Sequence, residues 1–262
     1  MILKKTGMLL VIILLAIPFL KAQDEDVKLG VYEKLDEYLP SDLIFVTQDY
    51  DTVNLMSLID KPTVIVPVYY ECPGICSPLL EGVAEVISRS SVEIGKDYQV
   101  FTISFDYEEN TKLARDKKKT YSRLVQGTHD LENGWTFFTG DSTNVHRMLN
   151  SVGYHIMRDG QEWIHPGAII VLSPEGKITR YLHGTYFLPF DLKMSIVEAS
   201  KGRSGPTINK VLEFCFSYDA EGKKYVFNVT KVSGVIIMLF AISLFLTLFI
   251  KNKRKNKFTK ES

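Results

Sequence analysis

Three cysteines in 262 residues are too few for a disulfide-dense scaffold, and one short of the four that iron–sulfur clusters generally take. Charge of one sign is lacking too. The 31 Lys and Arg residues balance 31 Asp and Glu, so no overall field draws the chain to nucleic acid. No internal repeat or low-complexity tract appears, and hydrolase, phosphate-loop and nucleic-acid motifs are absent. What is present, 45% hydrophobic and 24% charged, supplies ample core for one domain of common size once the apolar ends are set aside.

Those ends carry targeting signals. Met1–Lys5 is basic, the run through Leu20 is apolar, and Ala22 precedes a polar, acidic stretch. This predicts a secretory signal peptide over 1–22, with an uncleaved N-terminal anchor as the alternative. Val232–Ile250 holds 19 residues without a charge, long enough to span a bilayer, and Lys251–Lys257 follows with five cations. The positive-inside rule then predicts a single C-terminal transmembrane helix at the cell membrane, a cytoplasmic basic tail over 251–262, and an extracytoplasmic (periplasmic) domain. Its thiols face an oxidising compartment, where a dithiol needs a reductant or a metal to stay open.

The chemistry concentrates in Val64–Ile87, VIVPVYYECPGICSPLLEGVAEVI. The first seven residues read as a buried strand, with Pro67 counting against a central position. Leu79, Leu80, Val83, Ala84, Val86 and Ile87 recur at helical spacing, and Ser77 followed by Pro78 suits a cap and first helical residue. Cys72 and Cys76 therefore sit between strand and helix. The helix dipole is expected to lower the pKa of Cys76 and to present a thiolate to a partner. A structural disulfide, or two inert thiols, is the bland alternative.

The rest of the chain alternates strands with helices. After a surface lead-in over 23–42, Leu43–Val46 and Val53–Leu58 form a hairpin and Ser77–Ser90 is the helix above. Tyr98–Phe105 and Trp135–Thr139 are strands; Asn110–Val125 is an exposed, lysine-rich helix. Ser142–Val152 is a helix capped by Asp141 or Ser142, Ala168–Leu172 and Ile178–Leu182 form a second hairpin, and Phe190–Ala199 closes as a helix. Gly202–Pro206 breaks the chain, and 211–231 is a juxtamembrane segment. A strand–dithiol–helix first and a hairpin and helix last make the thioredoxin-like arrangement over 43–210: α/β, a central mixed sheet with helices on both faces.

Two thiolates make a poor cage for a divalent ion, and a neutral imidazole is the usual complement. Of five histidines, His129 and His146 read as solvated and His155 as packing or surface, while His183 at a strand end stays a weaker candidate. His165 precedes strand Ala168–Leu172, in the loop that a thioredoxin-like fold lays against the dithiol. Cys72, Cys76 and His165 would form a site of two sulfurs and one nitrogen, which suits copper better than structural zinc.

CPGIC after VYY, a helix after SFD, IHPGAIIVLSPEGKITRYLHG and PFDLKMSIVEASKG resemble the SCO/SenC family of copper-binding, thioredoxin-like proteins over about Leu43–Lys201. KVLEFCFSYD before a terminal span is similar to bacterial members that end in a membrane helix. The resemblance implies that Cys72, Cys76 and His165 are copper ligands. It also implies delivery of copper, as Cu(I) with Cu(II) left open, to the dinuclear centre of the copper-bearing subunit of cytochrome c oxidase. A thiol reductant or an upstream copper donor is a further expected partner. The chain departs from the family pattern in Tyr107 where many members have proline, Ile164 where many have aspartate, and Ser217 where bacterial relatives often have histidine. No carboxylate that would orient His165 is evident, and Cys215 reads as a buried or free thiol.

Three function classes remain in view: a copper chaperone, a membrane-tethered thiol–disulfide oxidoreductase without metal delivery, and a copper or redox sensor. Three residues between the cysteines count against the oxidoreductase, as does His165 where thioredoxins have proline. A peroxidase lacks support, because the threonine and arginine of that pocket are not evident.

Overall fold

Strands covered on both faces need near-continuous apolar runs, and this chain supplies several. The computed structural model describes residues 29–160 and 162–205, the strand pair Phe216–Asp219 and Lys224–Phe227, and Phe240. One seven-stranded sheet is formed by β1 (Ile44–Thr47), β2 (Thr52–Asn54), β3 (Thr63–Val68), β4 (Gln99–Ser104), β5 (Trp135–Thr139), β6 (Ala168–Leu172) and β7 (Ile178–His183). Its order is β7-β6-β3-β4-β5-β1-β2, with β3, β4 and β5 parallel and the other pairings antiparallel. The longer helices among the described residues are α1 (Cys76–Arg89), α2 (Thr111–Ser122), α3 (Ser142–Ser151) and α4 (Pro189–Ala199).

β3 is central despite Pro67. Its ladder to β6 is confined to Thr63, Val64 and Ile65, so Pro67 lies beyond the part of the strand that needs donors on both sides. All six residues of β3 and of β4 are buried, and side chains of this kind contribute roughly 1.5–3 kcal/mol each when withdrawn from water. Both strands end at the same edge, where β6 begins and β7 finishes, and that edge carries the cysteines.

Several expectations are corrected. α1 starts at Cys76, one residue early, with Ile75 as its cap and no side-chain bond there. Ser77 is thus inside the helix, and Pro78 is tolerated because the first-turn N–H groups lack partners anyway. The second strand of the first hairpin ends at Asn54, whose side chain accepts from the N–H of Met56 and starts a 3-10 turn over Leu55–Leu58. Asp141, not Ser142, caps α3. The described part of the lead-in is more than a surface segment. Gly30–Val31 pairs with Tyr154–His155, Leu39 is buried, and Asp36 and Leu39 donate to Ile178 and Gly176. An exposed hairpin, Met157–Asp159 with Glu162–Ile164, was not foreseen.

Residues 1–22, Cys215, the apolar stretch 232–250 (Phe240 apart) and the basic tail lie outside the described residues. Among the described residues no helix is long and apolar enough to cross a membrane. Phe216–Asp219 and Lys224–Phe227 pair as antiparallel strands.

Glycine in mid-helix costs about 1 kcal/mol against alanine, so Gly82 in α1 needs a reason. A Cβ there would stand 1.9 Å from the carbonyl oxygen of Thr185, in the segment after β7 that packs on the helix. Backbone cannot swing aside as a side-chain tip does, so overpacking outweighs the gain in propensity. Gly82→Ala is expected to destabilise the domain by about 2 kcal/mol, lowering the melting temperature by roughly 4–8 °C. Unchanged thermal denaturation would show that the approach is looser than this.

Candidate metal and thiol centre

The chain leaves β3 through a tight turn in which Cys72 N–H donates to the Tyr69 carbonyl. Cys72 is half-buried in that loop, while Cys76 is only 2% exposed at the first turn of α1. The Cys72 Sγ accepts from the backbone N–H groups of Gly74 at 3.3 Å and Cys76 at 3.5 Å; the Cys76 Sγ accepts from Tyr69 N–H at 3.4 Å. Gly74 has room around it, its nearest neighbour being the Cys72 sulfur.

His165 is delivered from the other side by the Met157–Ile164 hairpin and the start of β6. Its Nε2 lies 3.2 Å from the Cys76 Sγ and 3.9 Å from the Cys72 Sγ. The three ligand atoms all lie within 4.8 Å of one another, and among the described residues no fourth His, Cys, Asp or Glu joins them. The structure thus brings together the three residues singled out in the sequence. His183 stands apart, bonded to Glu33 at 3.3 Å; His146 bonds Ser142 and His155 packs edge-on against Tyr32.

His165 is oriented by the Pro166 carbonyl, with a tyrosine behind it, rather than by a carboxylate. Nδ1 is 3.0 Å from the Pro166 carbonyl oxygen, which can only accept, so Nδ1 carries the proton. The fully buried Tyr154 hydroxyl donates to the same carbonyl and lies 3.3 Å from Nδ1. Nε2 is thereby kept for the sulfurs, as donor to a thiolate when the ring is charged and as lone-pair ligand when it is neutral. Tyr154 follows Gly153 at the end of α3 and pairs with Val31; its role depends on a contact that no local pattern signals.

Aromatic rings close the base. Phe105 meets the His165 ring edge-on at 5.0 Å and Tyr69 at 5.8 Å, so Tyr69 shields the centre from water. Tyr70 does not: its hydroxyl is buried against the carbonyls of Phe138 and Thr102. The hairpin carrying His165 is held by Trp163, whose Nε1–H donates to Asp106 at 3.0 Å while the Arg158 guanidinium sits 4.8 Å over its ring.

The thiols divide their roles in the opposite sense to the helix-dipole expectation. Hydrogen bonding by Cys76 is the largest influence on Cys72, followed by His165 and the N–H groups of Cys76 and Gly74, and together they pull its pKa down to about 3 against partial burial. Burial pushes the Cys76 thiol far up, because a charge there would be cut off from water. Position at a helix start is outweighed by depth. A ready thiolate at Cys72, a protected thiol at Cys76 and an oriented imidazole can bind a soft metal through two sulfurs and a nitrogen, or exchange disulfides.

Comparison with known proteins places these features. A search of curated proteins returns no match. A putative electron transfer protein from Aquifex aeolicus VF5 is similar at 25% identity and TM-score 0.58, over 66% of this chain and 97% of that one. A SCO1/SenC family lipoprotein from Bacillus anthracis str. Ames shares the fold at 15% identity and TM-score 0.50, over 66% of this chain and 98% of that one. BsSco, described with a disulfide switch and as a member of the Sco family of cytochrome c oxidase assembly proteins, shares it at 20% identity and TM-score 0.50, over 65% and 98%. The SCO1/SenC family model matches residues 35–193, which include all three residues of the centre: the chain belongs to the SCO1/SenC family.

Proposed function

We propose that this protein is a membrane-anchored, extracytoplasmic copper chaperone whose cargo is held by Cys72, Cys76 and His165. The observation that carries the reading is the convergence of two sulfurs and one imidazole nitrogen within 4.8 Å, with no fourth ligand among the described residues. A closed structural zinc site takes four ligands; a three-coordinate, sulfur-rich site suits Cu(I) and leaves a side open to an incoming ligand. Cys72, the half-buried thiolate, is the sulfur an acceptor thiol reaches first; Cys76 and His165 hold the ion from beneath while exchange proceeds. The acceptor is the copper-bearing subunit of cytochrome c oxidase, in keeping with the family's naming. Exchange with a disulfide oxidant, which takes two electrons from the Cys72 thiolate and the Cys76 thiol together with the Cys76 proton and leaves as a thiol and a thiolate, gives a Cys72–Cys76 disulfide, which is no longer a thiolate ligand pair and switches binding off. Cleavage or retention of residues 1–22 and insertion of 232–250 complete the proposed topology, with the basic tail in the cytoplasm.

Copper binding by the reduced protein tests this. One copper per chain, lost in Cys72→Ser, Cys76→Ser and His165→Ala and kept in His183→Ala, is the expected pattern. Transfer to the copper-bearing oxidase subunit is the second step. A second reading, a thiol–disulfide oxidoreductase acting on client cysteines, is favoured by the pairing of an accessible low-pKa thiol with a buried one. It takes precedence if copper is not retained while the dithiol still exchanges.

A further inference from the structure

Glu109 lies between β4 and α2, beside the Asn110 cap, and it aims its carboxylate at the loop of Cys72. Oε2 accepts from Tyr70 N–H at 2.8 Å and from the Ser104 hydroxyl at 2.5 Å; Oε1 accepts from Glu71 N–H at 2.7 Å. No cation pairs with it among the described residues, and burial raises its carboxyl above the usual carboxylate range. In an extended strand consecutive N–H groups point to opposite sides. Two successive N–H groups on one carboxylate therefore mark the place, beyond the end of β3 and directly before Cys72, where the chain leaves the extended course. Upstream, the Tyr70 hydroxyl is pinned to Phe138 and Thr102. Downstream, Cys76 is fixed by α1. Glu109 is the side chain that fixes the exit between these anchors.

We propose that Glu109 is the positioning residue of the dithiol, holding the turn that sets the Cys72 sulfur over the start of α1 and facing His165. Both chemistries open to the centre gain from that geometry. Closing a disulfide and chelating a metal each profit when the two sulfurs are held in place beforehand, because less freedom is lost at the moment of reaction. Glu109 so read deepens the role proposed above, and its effect on the disulfide holds whether or not copper is the cargo.

The full chain, in detergent, is to be equilibrated with reduced and oxidised glutathione and titrated separately with Cu(I). In the glutathione equilibrium the Cys72–Cys76 bond breaks and two glutathione thiols close a glutathione disulfide, so electrons and protons balance within named species. Glu109→Ala is expected to weaken the intramolecular disulfide about tenfold and Cu(I) binding by roughly ten- to thirtyfold. Glu109→Gln, which keeps one acceptor oxygen, is expected to rescue part of both, leaving about a threefold loss. In the wild type, the exposed Glu71 amide exchanges its hydrogen at least about tenfold slower than an unbonded amide, and Glu109→Ala abolishes that protection. Glutathione and copper constants within twofold of wild type in both variants overturn the proposal, as does a fast-exchanging Glu71 amide in the wild type. Absence of copper binding in the wild type, with the disulfide shifts intact, would instead remove the chaperone reading and leave the positioning role standing.

Discussion

Alkylation of Cys72 in the reduced protein is expected to proceed at nearly the same rate from pH 5 to pH 8, while Cys76 stays unlabelled throughout. A thiol with a pKa of about 3 is fully ionised across that window, so its reactive fraction does not change. An ordinary thiol of pKa ~8.5 gains roughly a thousandfold in thiolate over the same three units. The low pKa also has a cost: nucleophilicity falls with basicity, with a coefficient of about 0.4–0.5, which removes roughly two to three decades of intrinsic rate. The two effects cross. At pH 5 Cys72 should react about tenfold faster than a free cysteine, and at pH 8 about a hundredfold slower. Cys76 has its pKa raised by burial, so lowering or raising the pH within this window leaves it protonated and shielded. Labelling with iodoacetamide, followed by mass spectrometry of the peptide that holds both residues, reads the profile. A rate that climbs with pH like that of a free cysteine, or labelling at Cys76 first, would refute the division of roles between the two thiols.

That division was not legible in the sequence, and the reason is physical. Spacing places Cys76 at a helix start, where dipole reasoning favours a thiolate. Depth is set by how α1 packs against the sheet edge, and burial decides the sign. Much of the frame was legible: β-branched runs announce β3, β4 and β6, and the 3.6-residue period of α1 survives a start one residue early. The position of His165 before β6 was readable from the thioredoxin-like order, in which the strand beside β3 runs antiparallel to it and so brings its preceding loop to the same edge as the dithiol. The hairpin behind it was not, since Met157–Asp159 and Glu162–Ile164 are largely exposed and charged and show no apolar alternation. Glu109 reaches amides 38 and 39 residues earlier in the chain, a relation that no local pattern contains.

Tyr154 presents the same difficulty and leads to the second large effect. Tyr154→Phe is expected to weaken Cu(I) binding by roughly ten- to a hundredfold, the usual consequence of losing a group that orients a metal-binding imidazole. The ring would stay, with its packing against Phe105 at 6.4 Å, so the core keeps its shape. What disappears is the hydroxyl that ties the Pro166 carbonyl in place and backs Nδ1. Pro166 still accepts from His165, so no buried acceptor is orphaned and the stability loss should stay within about 1.5 kcal/mol. His165→Ala goes further, because a ligand is lost. If a site of this kind binds with ~10 kcal/mol or more, one of three ligands is worth about 3 kcal/mol. That corresponds to more than about a hundredfold in affinity. The two variants should therefore be ordered, with Tyr154→Phe between wild type and His165→Ala. Nitrogen-15 spectra of His165 in the reduced protein supply the independent check: Nδ1, held by the Pro166 carbonyl, stays protonated in both proteins, while the ring resonances broaden once the hydroxyl that fixes that carbonyl is gone. Were Tyr154→Phe to bind copper within twofold of wild type and leave the His165 resonances sharp, the Pro166 carbonyl alone would orient the ring, and Tyr154 would be a packing residue.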